Sequence, residues 1–283
     1  MWPPLRARPC RLVGFPGLPA IAQASARVEK LKGARPEPRI WYNTPVMRTG
    51  NGKGAGNKTG GVKAVVVLSG GQDSALCLAL AVRRFGADAV AAITFAYGQR
   101  HAVETKYARR LAKRFCVRRH KVVRLGFFGE LTTNALLDHG AKICRRKGAK
   151  CPTTVVEGRN AVFLQLAAVW AKTLGAAEVH IGVSEADFSG YPDCRGAFLR
   201  AQERAMRLAL DWPVRVVAPF LHKTKAEEWA LADRLGLLEL IRTGTVTCYN
   251  GVPGDGCGKC PACILRRRGL AEYLALRGPR SSR

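Results

Sequence analysis

The chain has 283 residues, enough to bury a proper core as one large domain or two small ones. Its apolar fraction of 47% is that of a globular protein, and its longest apolar runs are too short to span a bilayer, which leaves no transmembrane candidate. A formal charge of +27 favours nucleic acid, nucleotides or anionic surfaces without choosing among them.

Residues 1–60 differ from the rest. They hold eight of the fifteen prolines and eleven Lys and Arg against Glu29 and Glu37, and they end in a Gly/Asn-rich run of flexible-linker composition. The Arg-rich, acid-poor start has the look of a transit peptide. The preferred expectation is a disordered extension or a start-site artefact, with Met47 as a second possible start.

From Gly61 the chain alternates. Residues 62–68 (VKAVVVL) form a short, Val-rich run that predicts a buried strand. Further strands are predicted at 89–95, 121–125, 178–183 and 214–218, and helices at 75–82, 101–115, 160–174, 195–210 and 223–235, the last closed by Gly236. Residues 138–158 read as a long basic surface loop of the kind that serves as a lid. This alternation predicts an α/β fold with a doubly wound parallel sheet. In such sheets ligands bind beyond the carboxyl ends of the strands.

The first strand runs into Ser69-Gly70-Gly71-Gln72-Asp73-Ser74 and then into a helix. Paired glycines let backbone amides close on an anion, and the helix aims its positive end at the same point. Ser69 and Ser74 add hydroxyl donors. Asp73 would repel a bare phosphate, so it is expected to help hold Mg²⁺ carried by one. A Walker A loop needs Gly-x-x-x-x-Gly-Lys-Ser/Thr, and its nearest approach, 52–59, has Asn57 in place of the second glycine. The Ser-Gly-Gly-x-Asp-Ser order instead resembles the pyrophosphate loop of enzymes that split ATP into AMP and pyrophosphate.

Near the other end, Cys248, Cys257, Cys260 and Cys263 lie in TCYNGVPGDGCGKCPAC. Two Cys-x-x-Cys steps with glycines between them let four sulfurs converge on one ion. A four-thiolate shell has no position for water, so the site reads as structural. Zinc is the expected metal, one per chain; an iron–sulfur cluster uses the same ligands. Such clustering in a basic chain without a signal peptide points to a reducing, cytoplasmic setting. Cys10, Cys77, Cys116, Cys144 and Cys151 follow no spacing and read as small apolar or surface residues. Cys194 is expected to play a structural or substrate-contact part rather than a covalent one.

Six segments together resemble one family, the 7-cyano-7-deazaguanine synthases of queuosine biosynthesis. They are LSGGQDSALCL (68–78), TFAYGQRHAVE (94–104), EGRNAVFL (157–164), GVSEADFSGYPDCR (182–195), KAEEWALADRLG (225–236) and TCYNGVPGDGCGKCPACILR (248–266). The resemblance runs from about Val62 to Leu276. It implies an adenine-nucleotide α-hydrolase-like, Rossmann-like domain over 61–240 and a zinc-binding and C-terminal helix segment over 241–283. It further implies that ATP, 7-carboxy-7-deazaguanine and ammonia yield the nitrile through adenylated acid and amide intermediates. ATP would be bound by Leu68, Ser69, Gly70, Gly71, Gln72, Asp73, Ser74, Ala75, Leu76, Cys77 and Leu78. The base would be read by Asp187, Ser189, Tyr191, Asp193 and Arg195, with Phe188 and Tyr191 stacking on it. Arg159 or Arg195 would pair with the carboxylate, and Asn160, Tyr97, Gln99 and Arg100 are further candidates. Glu157 stands where the family usually has proline. No nucleic acid or membrane is required, and the oligomeric state, a homodimer included, is left open. The rival expectation is a pyrophosphate-loop enzyme that modifies tRNA, which the charge suits.

Overall fold

The computed structural model describes residues 61–98, 103–131, 154–185 and 191–278. Residues 138–153 of the lid expected over 138–158, and Gln99, Arg100, Asp187, Phe188 and Ser189, lie outside the described residues.

Five parallel strands form one sheet: β1 (Ala64–Val67), β2 (Val90–Ala96), β3 (Arg119–Arg124), β4 (Glu178–Ile181) and β5 (Arg215–Val217), in the order β3-β2-β1-β4-β5. Val65 pairs with Ala91 on one side and Val179 on the other. The chain winds outward from β1 to β3, then returns to place β4 against β1. The order therefore reverses between β1 and β4, which is where an open α/β sheet has its crevice.

The central strands β1 and β2 are almost wholly apolar and buried because helices cover both faces. On one face Val65, Val67 and Ile93 pack with Phe163, Leu164 and Ala168 of α4 (Arg159–Leu174) and with Leu199 and Met206 of α5 (Gly196–Leu210). On the other, Val66, Leu68 and Ala92 pack with α1 (Gln72–Phe85), α2 (Val103–Arg114) and α6 (Lys225–Arg234), where Trp229 is completely buried. A side chain of that size contributes about 2–3 kcal/mol by leaving water.

The helix expected from 223 begins at Lys225, because Thr224 caps it: the Thr224 hydroxyl accepts from the Glu227 amide at 3.3 Å, and the Glu227 carboxylate accepts from the Thr224 amide at 2.8 Å. β3 begins at Arg119, two residues before the expected start, its charged side chains exposed at the sheet edge. Short helices α3 (Phe128–Leu131) and α7 (Leu238–Thr243) had no strong sequence signal. Helix α8 (Pro261–Arg277) starts directly after Cys260, carries Cys263 in its first turn and packs on α6. Cys116 is disulfide-bonded, a departure from the small apolar part expected of it. No helix among the described residues is long and apolar enough to cross a membrane.

Candidate active site

The loop after β1 turns on Gly70, at φ +94. A Cβ there would come within 2.5 Å of the Glu104 carbonyl oxygen, so α2 and the loop approach through the bare glycine backbone. Gly182, at the end of β4, serves the same purpose from the other side, where a Cβ would lie 2.6 Å from the Asp73 carbonyl carbon. The start of α1 is thus wedged at the crevice. Within the loop the hydroxyls hold the amides: the Ser69 amide donates to Ser74 Oγ at 3.2 Å, the Gly71 amide to Ser69 Oγ at 3.3 Å, and Ser74 Oγ donates to the Gly71 carbonyl at 3.1 Å.

Beneath the loop lies a buried charge cluster. Lys225 Nζ donates to Asp73 Oδ2 at 2.8 Å and to Glu228 Oε1 at 2.7 Å, and Gln72 Nε2 donates to Glu228 Oε2 at 3.2 Å. Burial, and then the charge of Asp73, push the Glu228 carboxyl well up, with Lys225 opposing. Asp73 Oδ1 is buried and has no hydrogen-bond partner among the described residues. An orphaned carboxylate oxygen on a cleft wall is a fit for a divalent cation that arrives with a nucleotide.

The far end of the sequence supplies the next wall. The Val246 amide donates to the Gly70 carbonyl at 2.9 Å, and the Gln72 amide donates to Thr247 Oγ1 at 3.2 Å. Arg266 fixes that hydroxyl, donating through Nη1 to Thr247 Oγ1 at 2.8 Å and to Thr245 Oγ1 at 2.9 Å. Its Nη2 reaches the Ile241 and Arg242 carbonyls, and its guanidinium lies 5.1 Å from the Trp229 ring centre.

Opposite the loop stands Arg159. It donates to Tyr97 Oη at 3.1 Å, and its guanidinium lies 5.7–6.0 Å from the ring centres of Tyr97, Phe163 and Tyr191. No carboxylate pairs with it among the described residues. Asp193 instead accepts from the Asn160 amide at 2.9 Å, pinning the start of the helix that carries Arg159. Tyr191 Oη lies 2.6 Å from Thr154 Oγ1 and 3.2 Å from Tyr249 Oη. Burial raises Tyr97, against the Arg159 charge, and raises Tyr249 too, so both phenols stay protonated at neutral pH. Burial and the Asp193 charge push the Cys194 thiol up to about 12, so it is a neutral thiol at that pH.

These groups enclose one cleft of about 270 Å³. Leu68, Ser69, Gly71, Gln72, Asp73, Ser74, Tyr97, Arg159, Asn160 and Tyr191 of the expected residues line it. Gly70, Ala75, Leu76, Cys77 and Leu78 are buried behind the loop, outside the lining. Asp193 is buried under α4, and Arg195 is an exposed residue at the start of α5; neither lines the cleft. Sequence reasoning passed over Lys225, Thr247, Tyr249 and Arg266 as site residues. Their only signal was position, within segments 225–236 and 248–266 or just beside them.

The four cysteines abut the same wall. Their ligand atoms all lie within 4.8 Å of one another, and Sγ–Sγ separations include 3.4 and 4.0 Å. Tetrahedral thiolates at about 2.3 Å from one metal would stand about 3.8 Å apart, so the donor set fits a four-coordinate ion. Amides of Asn250 and Cys260 donate to Cys248 and Cys257 at 3.3 and 3.4 Å, as hydrogen bonds to metal-bound thiolates do. The described cluster is therefore a candidate metal site.

Sheet order, loop and cleft define a nucleotide-using α/β protein with its site at the topological switch point. The sequence matches the queuosine biosynthesis protein QueC family over residues 63–274, and the chain belongs to that family. It is accordingly an ATP-dependent enzyme of the queuosine pathway. Solved structures with some likeness include the NH3-dependent NAD synthetase of Campylobacter jejuni, 18% identical with TM-score 0.40, over 67% of this chain and 71% of that one. The NMN synthetase of Francisella tularensis is 12% identical with TM-score 0.44, over 79% and 90%. The U34-tRNA thiolase NcsA of Methanococcus maripaludis, with its [4Fe-4S] cluster, is 15% identical with TM-score 0.38, over 62% and 57%. At these scores the likenesses carry no assignment.

Proposed function

We propose that the protein is an ATP-dependent ligase that converts 7-carboxy-7-deazaguanine and ammonia into 7-cyano-7-deazaguanine. The observation that carries this reading is the arrangement within one cleft: an anion-binding loop and, lining the same cleft, an arginine with no carboxylate partner among the described residues, framed by aromatic rings. Such a cleft suits a planar acid whose carboxylate must meet a nucleotide.

A carboxylate is a poor electrophile because oxide would have to leave. Transfer of an adenylyl group from ATP to its oxygen releases pyrophosphate and makes AMP the leaving group. Ammonia then displaces AMP to give the amide. A second adenylation, now on the amide oxygen, releases a second pyrophosphate; loss of AMP and a proton leaves the nitrile. In this scheme Ser69, Gly71 and Ser74 exchange their internal hydrogen bonds for the oxygens of pyrophosphate. Asp73 would hold Mg²⁺ through its unpartnered oxygen. The ion neutralises phosphate charge when bound. Arg159 orients the acid as a fork, and Tyr97 and Tyr191 provide faces for the base. Cys248, Cys257, Cys260 and Cys263 would hold one zinc, whose part is to fix the wall at Thr247 and Tyr249.

We assign residues 61–240 as the catalytic α/β domain and 241–283 as the metal and C-terminal helix segment, and place the enzyme in the cytoplasm. A tRNA-sulfur chemistry finds less support, since its one candidate sulfur carrier, Cys194, is a neutral thiol. The test is purified protein with Mg-ATP, ammonium and 7-carboxy-7-deazaguanine, followed by mass spectrometry. The expected result is nitrile with two AMP and two pyrophosphate per product. No nitrile, together with ATP consumption stimulated by tRNA, would overturn it.

A further inference from the structure

Much of the molecule's charge is gathered where the reaction has no use for it. Between Val103 and Arg124 nine cations stand against one acid, Glu104. Helix α2 carries Lys106, Arg109, Arg110, Lys113 and Arg114, a spacing of i, i+3, i+4, i+7 and i+8 that puts all five on one face. All five are exposed, while Thr105, Ala108, Leu111 and Ala112 face the core. Along β3, the edge strand beside α2, side chains alternate across the sheet: exposed Arg124 shares the side that α2 covers, while exposed Arg119 and Lys121 stand on the other, Lys121 against Trp170 of α4.

None of the nine has an acidic partner among the described residues. Arg110 lies 5.1 Å from the Tyr107 ring centre and Lys121 lies 5.0 Å from that of Trp170. Like charges at i, i+4 destabilise a helix, so Lys106–Arg110, Arg109–Lys113 and Arg110–Arg114 each cost stability. The crowding is felt inward too: burial and the Arg109 charge push His120 on β3 down. By contrast, α5 sets Glu203 among Arg200, Arg204 and Arg207.

From this geometry we infer that the exposed face of α2 binds the phosphate backbone of a duplex nucleic acid, apart from the catalytic cleft and without sequence readout. Charge complementarity favours that partner. From Lys106 to Arg114 the stripe spans about 12 Å at about 1.5 Å per residue, enough to meet several phosphates of one duplex. No exposed large apolar side chain lies between 103 and 124 to enter a bilayer.

The test measures binding of the full chain to a fluorescent 20-base-pair RNA duplex of arbitrary sequence by anisotropy, at several KCl concentrations. The triple variant Lys106→Glu, Arg110→Glu, Arg114→Glu should lose at least about tenfold in affinity, and its slope of log K against log salt should fall by about 2–3. Pyrophosphate release by this variant should match wild type. A control with the same charge change elsewhere, Arg204→Glu, Arg207→Glu, Arg268→Glu, should retain more affinity. A glutamine version of the first triple guards against misfolding and should lose affinity to a smaller degree. Equal loss in the control would show that net charge alone drives binding and would overturn the site. So would wild-type binding to anionic vesicles but not to the duplex, or no salt-dependent binding at all.

Discussion

The loop end of the cleft is lined by five residues of one short stretch, Ser69, Gly71, Gln72, Asp73 and Ser74. The opposite end is lined by Tyr97, Arg159, Tyr191 and Tyr249, drawn from four separate stretches of chain. The first end is shaped by φ angles and by the close approach of Glu104 and Gly182. The second is shaped by side-chain packing, with Asp193 holding the helix that presents Arg159. Backbone-built anion sites are common to many nucleotide users, whereas side-chain boxes choose the substrate. In the proposed function, energy supply falls to the first end and selectivity to the second.

Mutations can break that division or make it sharper. Asp73→Ala removes the candidate magnesium contact and should cut turnover by about a thousandfold or more while the four-cysteine site keeps its metal. Pyrophosphate release and metal analysis check both halves, and retained turnover would move the chemistry away from the loop. Cys260→Ser should strike both ends together, because Thr247 and Tyr249 flank Cys248. Metal loss and a fall in Tm of roughly 10 °C or more are expected by calorimetry. A variant melting like wild type would uncouple the cysteines from the cleft.

Arg159→Gln should raise KM for the acid roughly 10- to 100-fold, the worth of a charged hydrogen-bonded contact, with KM for ATP within about twofold. Equal increases for both substrates would erase the distinction between the ends.

The smallest effect belongs to Glu178, at the other end of the strands, where it accepts from Arg215 at 2.7 Å and pairs with His180 and Arg84. Burial alone would raise its pKa, but the hydrogen bond and charge of His180, with Arg84 and Arg215, hold it below the ordinary range. A lowered carboxylate contributes stability above its ordinary pKa and loses it as pH falls through the lowered value. Glu178→Gln should therefore cost about 1 kcal/mol near neutrality and progressively less below about pH 4, with both KM values unchanged. Thermal melts across that range decide it; an undiminished cost in acid would deny Glu178 its charge.

The same contrast explains what could be read from sequence. β1, the glycine turn and α1 are contiguous, so local composition announced the loop and the parallel sheet. The cysteines, too, carried their geometry in their spacing. Arg159 and Tyr191 were legible through the resemblance of their segments to a family. Asp193, expected to read the base, sits under α4, because a short side chain one position from the cleft can cap a helix as readily as face a ligand. Lys225 was hidden in a helix of ordinary appearance: Asp73, which accepts from it, and Gln72, which binds its own-helix partner Glu228, arrive only after α6 folds back against α1. Arg266 was hidden likewise, since nothing local distinguishes it from Arg267 and Arg268, which are exposed.

The wall formed by residues 246–266 has a consequence for synthesis. A polypeptide emerging from the ribosome holds all five strands by residue 217, and the glycine turn long before that, yet still lacks Thr247 and Arg266. Until those last pieces dock, the young protein has its sheet and glycine turn but not the wall that Arg266 holds at Thr247.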